Sequence, residues 1–352
     1  MRYLFPLSPY NQQRQFQKPV WVYPCHLAAY ATYLRNEGHD VYWGFADLFD
    51  INCYRACWDE KPIEKLDFVI KNDFQIDIPF EKLPFPDREF TDAKNKRWQS
   101  YGNYKKHPAT HMMASNLCWW SRCTFCVDTA KLQAGEKRGL RSVDHVLEEI
   151  DDLIRLGFKE VFDDSGTFPI GDWLEDFCHK MIESGRNRKI MWGCNMKPIS
   201  EKVVPFKLMK EAGCRFMLVG VESANQATID KIKKGQESHN VVKNMKAMND
   251  AGLEVHLTSM FGFSWETHED AMRTVNEIHH MLRKGYVKTA QASVFMPPRT
   301  APPANADAQK YIQMVYDIYK DPRYWFRKVF DIKRWEDVTY LLRRVGHVRH
   351  AE

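Results

Sequence analysis

The sequence lacks the features of a membrane or secreted protein. Pro6 and Pro9 interrupt its amino-terminal segment, so that segment has no continuous hydrophobic stretch of the kind found in a secretory signal. No apolar run reaches the length of a transmembrane helix. We therefore expect a cytoplasmic protein, in which nine cysteines are more often thiols or metal ligands than disulfides.

The sequence also lacks a strong excess of charge of either sign. Lys and Arg number 51 and Asp and Glu 46, which gives a net charge of +5. This balance is compatible with an anionic substrate but does not indicate nucleic-acid binding. With 44% hydrophobic and 28% charged residues, the composition is that of an ordinary globular protein.

The chain separates into four predicted regions. Residues 1–83 have the pattern of a small α/β region, and 84–108 form a polar linker that opens with closely spaced prolines. Residues 109–300 alternate regularly between strands and helices, and 301–352 form a helical extension rich in Tyr, Trp and Arg. That extension is either a lid over a site or an amphipathic cover whose aromatic side chains fill the core.

The alternation over 109–300 predicts a parallel sheet. Strands are expected at 110–115, 160–164, 190–195, 216–222, 254–261 and 289–295, with helices near 143–156, 172–184, 203–212, 226–251 (broken near Gly235) and 267–283. Six strand–helix units predict an open, partial (β/α)6 barrel rather than a closed eight-stranded one. A flat, doubly wound sheet is the alternative. Parallel barrels carry their chemistry at the carboxyl ends of the strands.

Three cysteines directly follow the first predicted barrel strand. Cys118, Cys123 and Cys126 can face one iron–sulfur cluster from a single loop. A zinc site with His111 as the fourth ligand is a weaker alternative, because the sequence has no second Cys-x-x-Cys or His-x-x-x-His pair near by. Three unrelated buried cysteines are the remaining possibility.

This loop resembles the Cys-x-x-x-Cys-x-aromatic-Cys signature of the radical S-adenosylmethionine (SAM) superfamily. Phe125 stands at the aromatic position, but four residues rather than three separate Cys118 from Cys123. The resemblance implies a 4Fe–4S cluster on three cysteines, with one iron left for SAM. It further implies reductive cleavage of SAM to a 5′-deoxyadenosyl radical that abstracts hydrogen from a substrate not yet identified, with no catalytic residue assigned.

Three later segments resemble motifs of the same superfamily in the same order. Residues 162–168 resemble the Asp-Asp-x-x-Phe segment of its cobalamin-associated branch, which stands where other members bind the SAM amino group. Residues 220–223 resemble a Gly-x-Glu-Ser strand end, and 261–267 resemble a Gly-x-Pro-x-Glu-Thr turn. The side chains that the resemblance implies for SAM binding are Phe125, Asp163, Asp164, Asn195, Lys197, Glu222 and Ser223.

Each of these implied contacts has an alternative. Asp164 is expected at the SAM amino group and Glu222 or Ser223 at the ribose, but a carboxylate at a strand–helix junction is often a helix cap. Asn195 and Lys197 are expected at the SAM carboxylate or else face solvent. The resemblance also implies a one-electron donor such as flavodoxin or ferredoxin, and a small-molecule or peptide substrate.

The amino-terminal region resembles the opening of a cobalamin-binding domain at residues 20–45. Fewer than forty residues separate this segment from the linker, and a crossover unit takes roughly thirty. We therefore expect a truncated domain that does not bind cobalamin, which favours hydrogen abstraction over the alternative of cobalamin-dependent methyl transfer. A non-catalytic protein stabilised by zinc or a cluster is a further alternative. Cys25, Cys53 and Cys57 either ligate a second cluster or fill core positions.

Overall fold

The computed structural model describes most of the chain. The described residues are 2–7, 23–45, 69–70, 78–99, 103–295, 307–330, 332, 335, 337–340 and 342. The chain divides into two compact units, one made of Met1–Met113, Asp152–Phe162 and Glu336–Glu352, the other of Ala114–Asp151 and Asp163–Trp335. Cys53 and Cys57 lie outside the described residues. The region boundaries predicted at 83, 108 and 300 stay predictions.

A three-stranded parallel sheet lies in the first unit. Its central strand β1 (Arg2–Leu7) pairs with β2 (Asp40–Phe45) on one side and β3 (Val69–Ile70) on the other. Helix α1 (Cys25–Asn36) precedes β2. Its Cys25 side chain is buried, as expected of a cysteine that fills a core position. The small α/β region predicted from the sequence is confirmed.

Strand β1 is absent from the sequence predictions, which treated the start of the chain only as a possible signal segment. Its alternation of buried Tyr3 and Phe5 has the period of a strand, but Pro6 argues against a central strand. In the described residues, β3 pairs with Tyr3 and Leu4, so Pro6 lies beyond that part of the pairing and stands opposite Gly44 of β2.

The second sheet has six parallel strands in chain order. They are β4 (Ala109–Met112), β5 (Glu160–Asp163), β6 (Met191–Met196), β7 (Cys214–Glu222), β8 (Glu254–Phe261) and β9 (Thr289–Val294). A doubly wound sheet reverses its strand order at a switch point, and this order never reverses. The prediction of an open, partial barrel is thereby confirmed.

Helices occupy most of the connections between these strands. Including the short α2, they are α2 (Lys96–Gln99), α3 (Val127–Gln133), α4 (Val143–Arg155), α5 (Asp172–Glu183), α6 (Phe206–Glu211), α7 (Gln226–Lys231), α8 (Val241–Asp250) and α9 (His268–Lys284), followed by α10 (Ala308–Asp317) and α11 (Pro322–Phe330). The break predicted near Gly235 separates α7 from α8, whereas α3 was not predicted. None of the helices in the described ranges has the length and apolar character needed to span a bilayer.

The two faces of strands β6 to β8 differ in burial. Side chains on the face covered by helices are completely buried, among them Cys194, Met217, Val219, Val255 and Leu257. Several positions on the opposite, inner face are only half-buried, among them Asn195, Leu218, Gly220 and Thr258. The strand register aligns Gly220 with Thr258 and Thr258 with exposed Gln291. The inner face is therefore the accessible surface of the sheet.

Tyrosine side chains cover the backbone of β9, the last strand in the order. The Tyr319 hydroxyl accepts a hydrogen bond from Ala290 N at 2.9 Å and donates one to Ala290 O at 3.2 Å. Tyr316 pairs with Ala292 in the same way, at 3.1 and 3.2 Å. These hydroxyls occupy the hydrogen-bonding positions that a neighbouring strand would use. This part of the carboxyl-terminal extension therefore packs on the sheet as a cover.

We predict that Tyr316→Phe and Tyr319→Phe each lower the free energy of unfolding by about 1–3 kcal/mol, because each leaves a backbone amide and a carbonyl of β9 without that partner. Urea titration measures the change, and amide hydrogen exchange at Ala290 and Ala292 locates it. Tyr286→Phe is the control, since the hydrogen bonds of Ala290 and Ala292 described above do not involve its hydroxyl. Unchanged exchange at both alanines would show that the hydroxyls do not protect the edge.

Candidate active site

The three predicted cluster ligands lie on one loop between β4 and α3. All three are free cysteines, with Cys118 and Cys123 buried and Cys126 half-buried immediately before α3. Cys126 N donates to Cys123 O at 3.2 Å, so a tight turn joins the second and third cysteines. The loop therefore presents three thiols from a compact backbone.

Asp128 in the first turn of α3 fixes the other end of the loop. Its Oδ2 accepts a hydrogen bond from Cys118 N at 2.8 Å, and burial raises the pKa of this carboxyl. A Cβ atom at Gly166 would lie 2.1 Å from Asp128 Oδ2 and 3.0 Å from Cys118 Cβ. A side chain at position 166 would therefore displace the Asp128 carboxylate, which bonds to the loop at Cys118 N.

Polar groups surround the Cys118 sulfur. Its Sγ lies 3.1 Å from Thr167 Oγ1 and accepts a hydrogen bond from Trp120 N at 3.4 Å. Burial raises the pKa of the Cys123 thiol, while the positive charges of Lys234 and Lys197 oppose that rise. Such cations near the thiols favour the thiolate form that binds metal.

Glu222 forms a buried ion pair with Lys234 at the end of β7. Glu222 Oε1 lies 2.7 Å from Lys234 Nζ, with side chains 8% and 11% exposed. Glu222 itself has a positive φ of 66°, and a Cβ at Gly220 would lie 2.8 Å from Lys234 Nζ. The carboxylate predicted for SAM is thus already bound to a cation that the sequence analysis did not select.

The aspartates after β5 have different environments. Asp163 is fully buried, and its carboxylate accepts hydrogen bonds from Ala114 N at 2.7 Å and Ser165 N at 3.0 Å. Burial raises the pKa of Asp163 to about 6. Asp164 is exposed, and Asn195 Nδ2 lies 3.5 Å from its Oδ1. Asp163 has the geometry of a structural anchor, while Asp164 and Asn195 stand together at an accessible edge.

The remaining predicted SAM contacts are engaged within the protein. Ser223 is fully buried and its Oγ accepts a hydrogen bond from Asn225 N at 3.1 Å, just before α7. Phe125 packs on a buried cluster that includes Phe263 and Phe295. Lys197 is buried, and its Nζ donates to Lys234 O at 2.7 Å. The SAM roles of all these side chains stay predictions.

The zinc alternative lacks geometric support. No group of three His, Cys, Asp or Glu side chains in the described ranges converges as one metal ion requires. His111, the fourth ligand of that alternative, is buried with Nδ1 2.5 Å from the Tyr104 hydroxyl. Burial, together with the charge of Arg88, lowers the pKa of His111 to about 3. Thiols that share a loop without meeting at a point suit a cluster, in which each thiolate binds a different iron.

A family comparison identifies the region around the loop. The model of the radical SAM superfamily matches residues 114–278. The chain contains a radical SAM domain. In this superfamily the domain binds an iron–sulfur cluster and SAM.

A curated relative matches about half of the chain. An uncharacterised methyltransferase of Pyrococcus horikoshii is 28% identical over 166 residues, which are 47% of this chain and 35% of the relative. The chain thus spans about a third of the length of that protein. Neither the name of that relative nor this level of identity defines a reaction for the present chain.

Several solved radical SAM structures resemble parts of the chain. The methyltransferase TsrM of Kitasatospora setae is 18% identical, with a TM-score of 0.47, covering 54% of this chain and 36% of that one. The cobalamin-dependent enzyme OxsB is 16% identical, with a TM-score of 0.45, covering 73% and 34%. Methylornithine synthase is 13% identical, with a TM-score of 0.44, covering 60% and 61%. At these scores the likenesses carry no weight for function.

Several residues of the radical SAM domain's site were missed by the sequence analysis. They are Trp120, Asp128, Gly166, Thr167, Lys234 and Gly235. Lys234 and Gly235 belong to the predicted helix break, and Gly166 and Thr167 belong to the segment 162–168, so both regions carried a signal. The roles of Trp120 and Asp128 depend on hydrogen bonds to backbone atoms of Lys233 and Cys118, which spacing alone does not reveal.

We predict that Glu222→Gln in the radical SAM domain lowers the free energy of unfolding of the iron-free protein by about 3 kcal/mol, because it leaves the Lys234 ammonium buried without its counter-charge. The double variant Glu222→Gln/Lys234→Met should recover most of that loss. Urea unfolding measures both.

Asp250→Asn breaks the exposed pair with Lys246 and is the matched control, expected to cost less than about 1 kcal/mol. If Glu222→Gln costs no more than Asp250→Asn, the buried ion pair does not stabilise the fold. The single variant changes the stability of the fold as well as a residue predicted to bind SAM. SAM affinity should therefore be measured with the double variant.

Proposed function

We propose that the chain binds a 4Fe–4S cluster through Cys118, Cys123 and Cys126, cleaves SAM reductively and abstracts hydrogen from a substrate. The observation that carries this proposal is the loop of three free cysteines after the first strand of a radical SAM domain. The bound cluster would supply the electron that converts SAM to methionine and a 5′-deoxyadenosyl radical. The protein's part is to position SAM and substrate and to exclude water.

The exposed carboxylate of Asp164 and the amide of Asn195 are the side chains we assign to the amino and carboxylate groups of SAM. They are adjacent, and they lie at the carboxyl ends of neighbouring strands, where parallel barrels bind ligands. Glu222 is assigned to the ribose hydroxyls, because a carboxylate held by one lysine keeps a second oxygen free for acceptance.

The inner face of the sheet is where we place the substrate. Its accessible row joins Gly220, Thr258 and Gln291, and Met260 and Ser293 follow as lateral partners toward the carboxyl ends. This row offers hydroxyl, amide and thioether groups but no ionised side chain. An uncharged, hydrogen-bonding part of a small molecule or peptide suits such a surface. Flavodoxin or ferredoxin as electron donor and a cytoplasmic location stay predictions.

We predict that Cys118→Ala, Cys123→Ala and Cys126→Ala each abolish SAM cleavage and lower the iron content, because a cluster held by three thiolates does not survive the loss of one. Anaerobic incubation with SAM and dithionite, followed by chromatography for 5′-deoxyadenosine, measures the activity. Iron and sulfide analysis measures the cluster.

Cys178→Ala is the matched control, since Cys178 is equally a free, buried cysteine but lies in helix α5 outside the loop. It should retain iron and 5′-deoxyadenosine formation. Full iron content and activity in any one of the three loop variants would remove that cysteine from the ligand set.

Cobalamin-dependent methyl transfer is the second candidate. The parallel order β2-β1-β3 is that in which doubly wound domains begin, and the relative from P. horikoshii is named a methyltransferase. Against this candidate, the first sheet has three strands in the described residues, and the segment between β2 and the linker has room for about one crossover unit.

We predict that the purified protein binds no cobalamin, because one crossover unit provides too little surface to enclose a corrin ring. Incubation with hydroxocobalamin followed by gel filtration tests this. A corrin spectrum that co-elutes in stoichiometric amount would overturn the prediction and make methyl transfer the leading reaction. A corrin-free protein that forms 5′-deoxyadenosine would support hydrogen abstraction.

A further inference from the structure

We propose that Trp120, Lys197 and Gly235 form a clasp that fixes the cysteine loop in its cluster-binding shape before any iron is present. The proposal rests on the function proposed above, because it assigns these three residues a positioning role toward the cluster. None of them carries a thiol, and Gly235 is remote from the loop in sequence.

The Trp120 indole lies directly on the backbone of Gly235. A Cβ atom added to Gly235 would lie 1.9 Å from Trp120 Cζ2, so no side chain can be accommodated there. Gly235 also has a positive φ of 61°, which disfavours other residues. The indole Nε1 donates to Lys233 O at 2.9 Å. The turn between α7 and α8 is thus shaped to receive this one ring.

Lys197 completes the clasp with a contact to the indole ring. Its Nζ lies 3.5 Å from the centroid of the Trp120 ring, within the range of a cation–π contact. The same ammonium donates to Lys234 O at 2.7 Å and to Gly235 O at 3.3 Å. One buried cation therefore joins the ring of the loop to the backbone of the turn.

A second contact ties the loop to the same turn beyond Cys123. Thr124 N donates to Ile232 O at 3.0 Å. The loop is consequently held on both sides of Cys123, by Trp120 before it and Thr124 after it. Contacts on both sides define where the middle thiol lies relative to the other two.

The clasp compensates for the unusual length of the loop. Four residues lie between Cys118 and Cys123, and one of them, Ser121, has a positive φ of 36°. A longer and locally strained loop has more conformations to lose when it binds a cluster. Packing of Trp120 on the turn removes those conformations during folding, so the loss of conformational entropy does not weaken cluster binding.

The test compares Gly235→Ala and Trp120→Leu with the conservative Trp120→Phe, all in the full chain. After anaerobic reconstitution, the rate of iron loss to an excess of the chelator bathophenanthroline is measured, together with the thermal unfolding of the iron-free protein. Gly235→Ala and Trp120→Leu should lose iron at least about tenfold faster than wild type, as expected when a stabilising contact is removed. Trp120→Phe, which keeps a ring for Lys197, should be intermediate.

Gly252→Ala is the matched control. Gly252 also has a positive φ, of 86°, and follows α8, but the atoms nearest to an added Cβ belong to the flexible Lys210 side chain, from 3.3 Å. It should lower the unfolding temperature without the faster loss of iron. Equal loss from Gly235→Ala and Gly252→Ala, or wild-type rates in both Trp120→Leu and Gly235→Ala, would overturn the clasp. A wild-type protein that takes up no cluster would instead overturn the proposed function.

Discussion

The buried carboxylate of Asp163 is the interaction on which the geometry of the site depends. It accepts hydrogen bonds from the backbone of Ala114 and Ser165, and the Ser165 hydroxyl in turn accepts one from Ser115 N at 2.9 Å. The residues that open the cysteine loop are therefore bound to the segment that follows β5. Cys118 inherits its position from this anchor, since only two residues separate it from Ser115. A short side chain with two acceptor oxygens is well suited to join two backbone segments in this way.

The charges next to the loop suit the same geometry. Lys234 pairs with Glu222, whereas the Lys197 ammonium contacts the Trp120 ring and backbone carbonyls. Burial together with the charge of Lys234 lowers the pKa of Lys197 to about 8. The ammonium groups of Lys197 and Lys234 thus place positive charge near Cys123, where it opposes the rise in the pKa of that thiol. Such a charge is unfavourable when the thiols are neutral and becomes favourable once they ionise.

Much of the barrel follows from local sequence patterns, and much of the site does not. Strand β8 was predicted at the bounds that the structure has, because its side chains alternate over a long uninterrupted run. The helix break at Gly235 was predicted from the glycine alone. The packing of Trp120 on this turn depends on contacts between segments 113 or more residues apart, such as that of Trp120 with Lys233. Similarly, the ion pair of Lys234 with Glu222 joins a turn to the end of β7. Glu222 has a positive φ there, and no sequence pattern specifies that φ value.

The tyrosine hydroxyls along β9 have a consequence for the kind of substrate that the barrel can accept. An extended peptide often binds a sheet by adding a strand to a free edge, where its backbone supplies the missing hydrogen bonds. Here the amide and carbonyl groups of Ala290 and Ala292 are already satisfied from within the chain. A peptide that approached this edge would first have to expel two hydroxyls. At Ala290 and Ala292 this edge therefore offers an extended peptide no free backbone groups with which to pair.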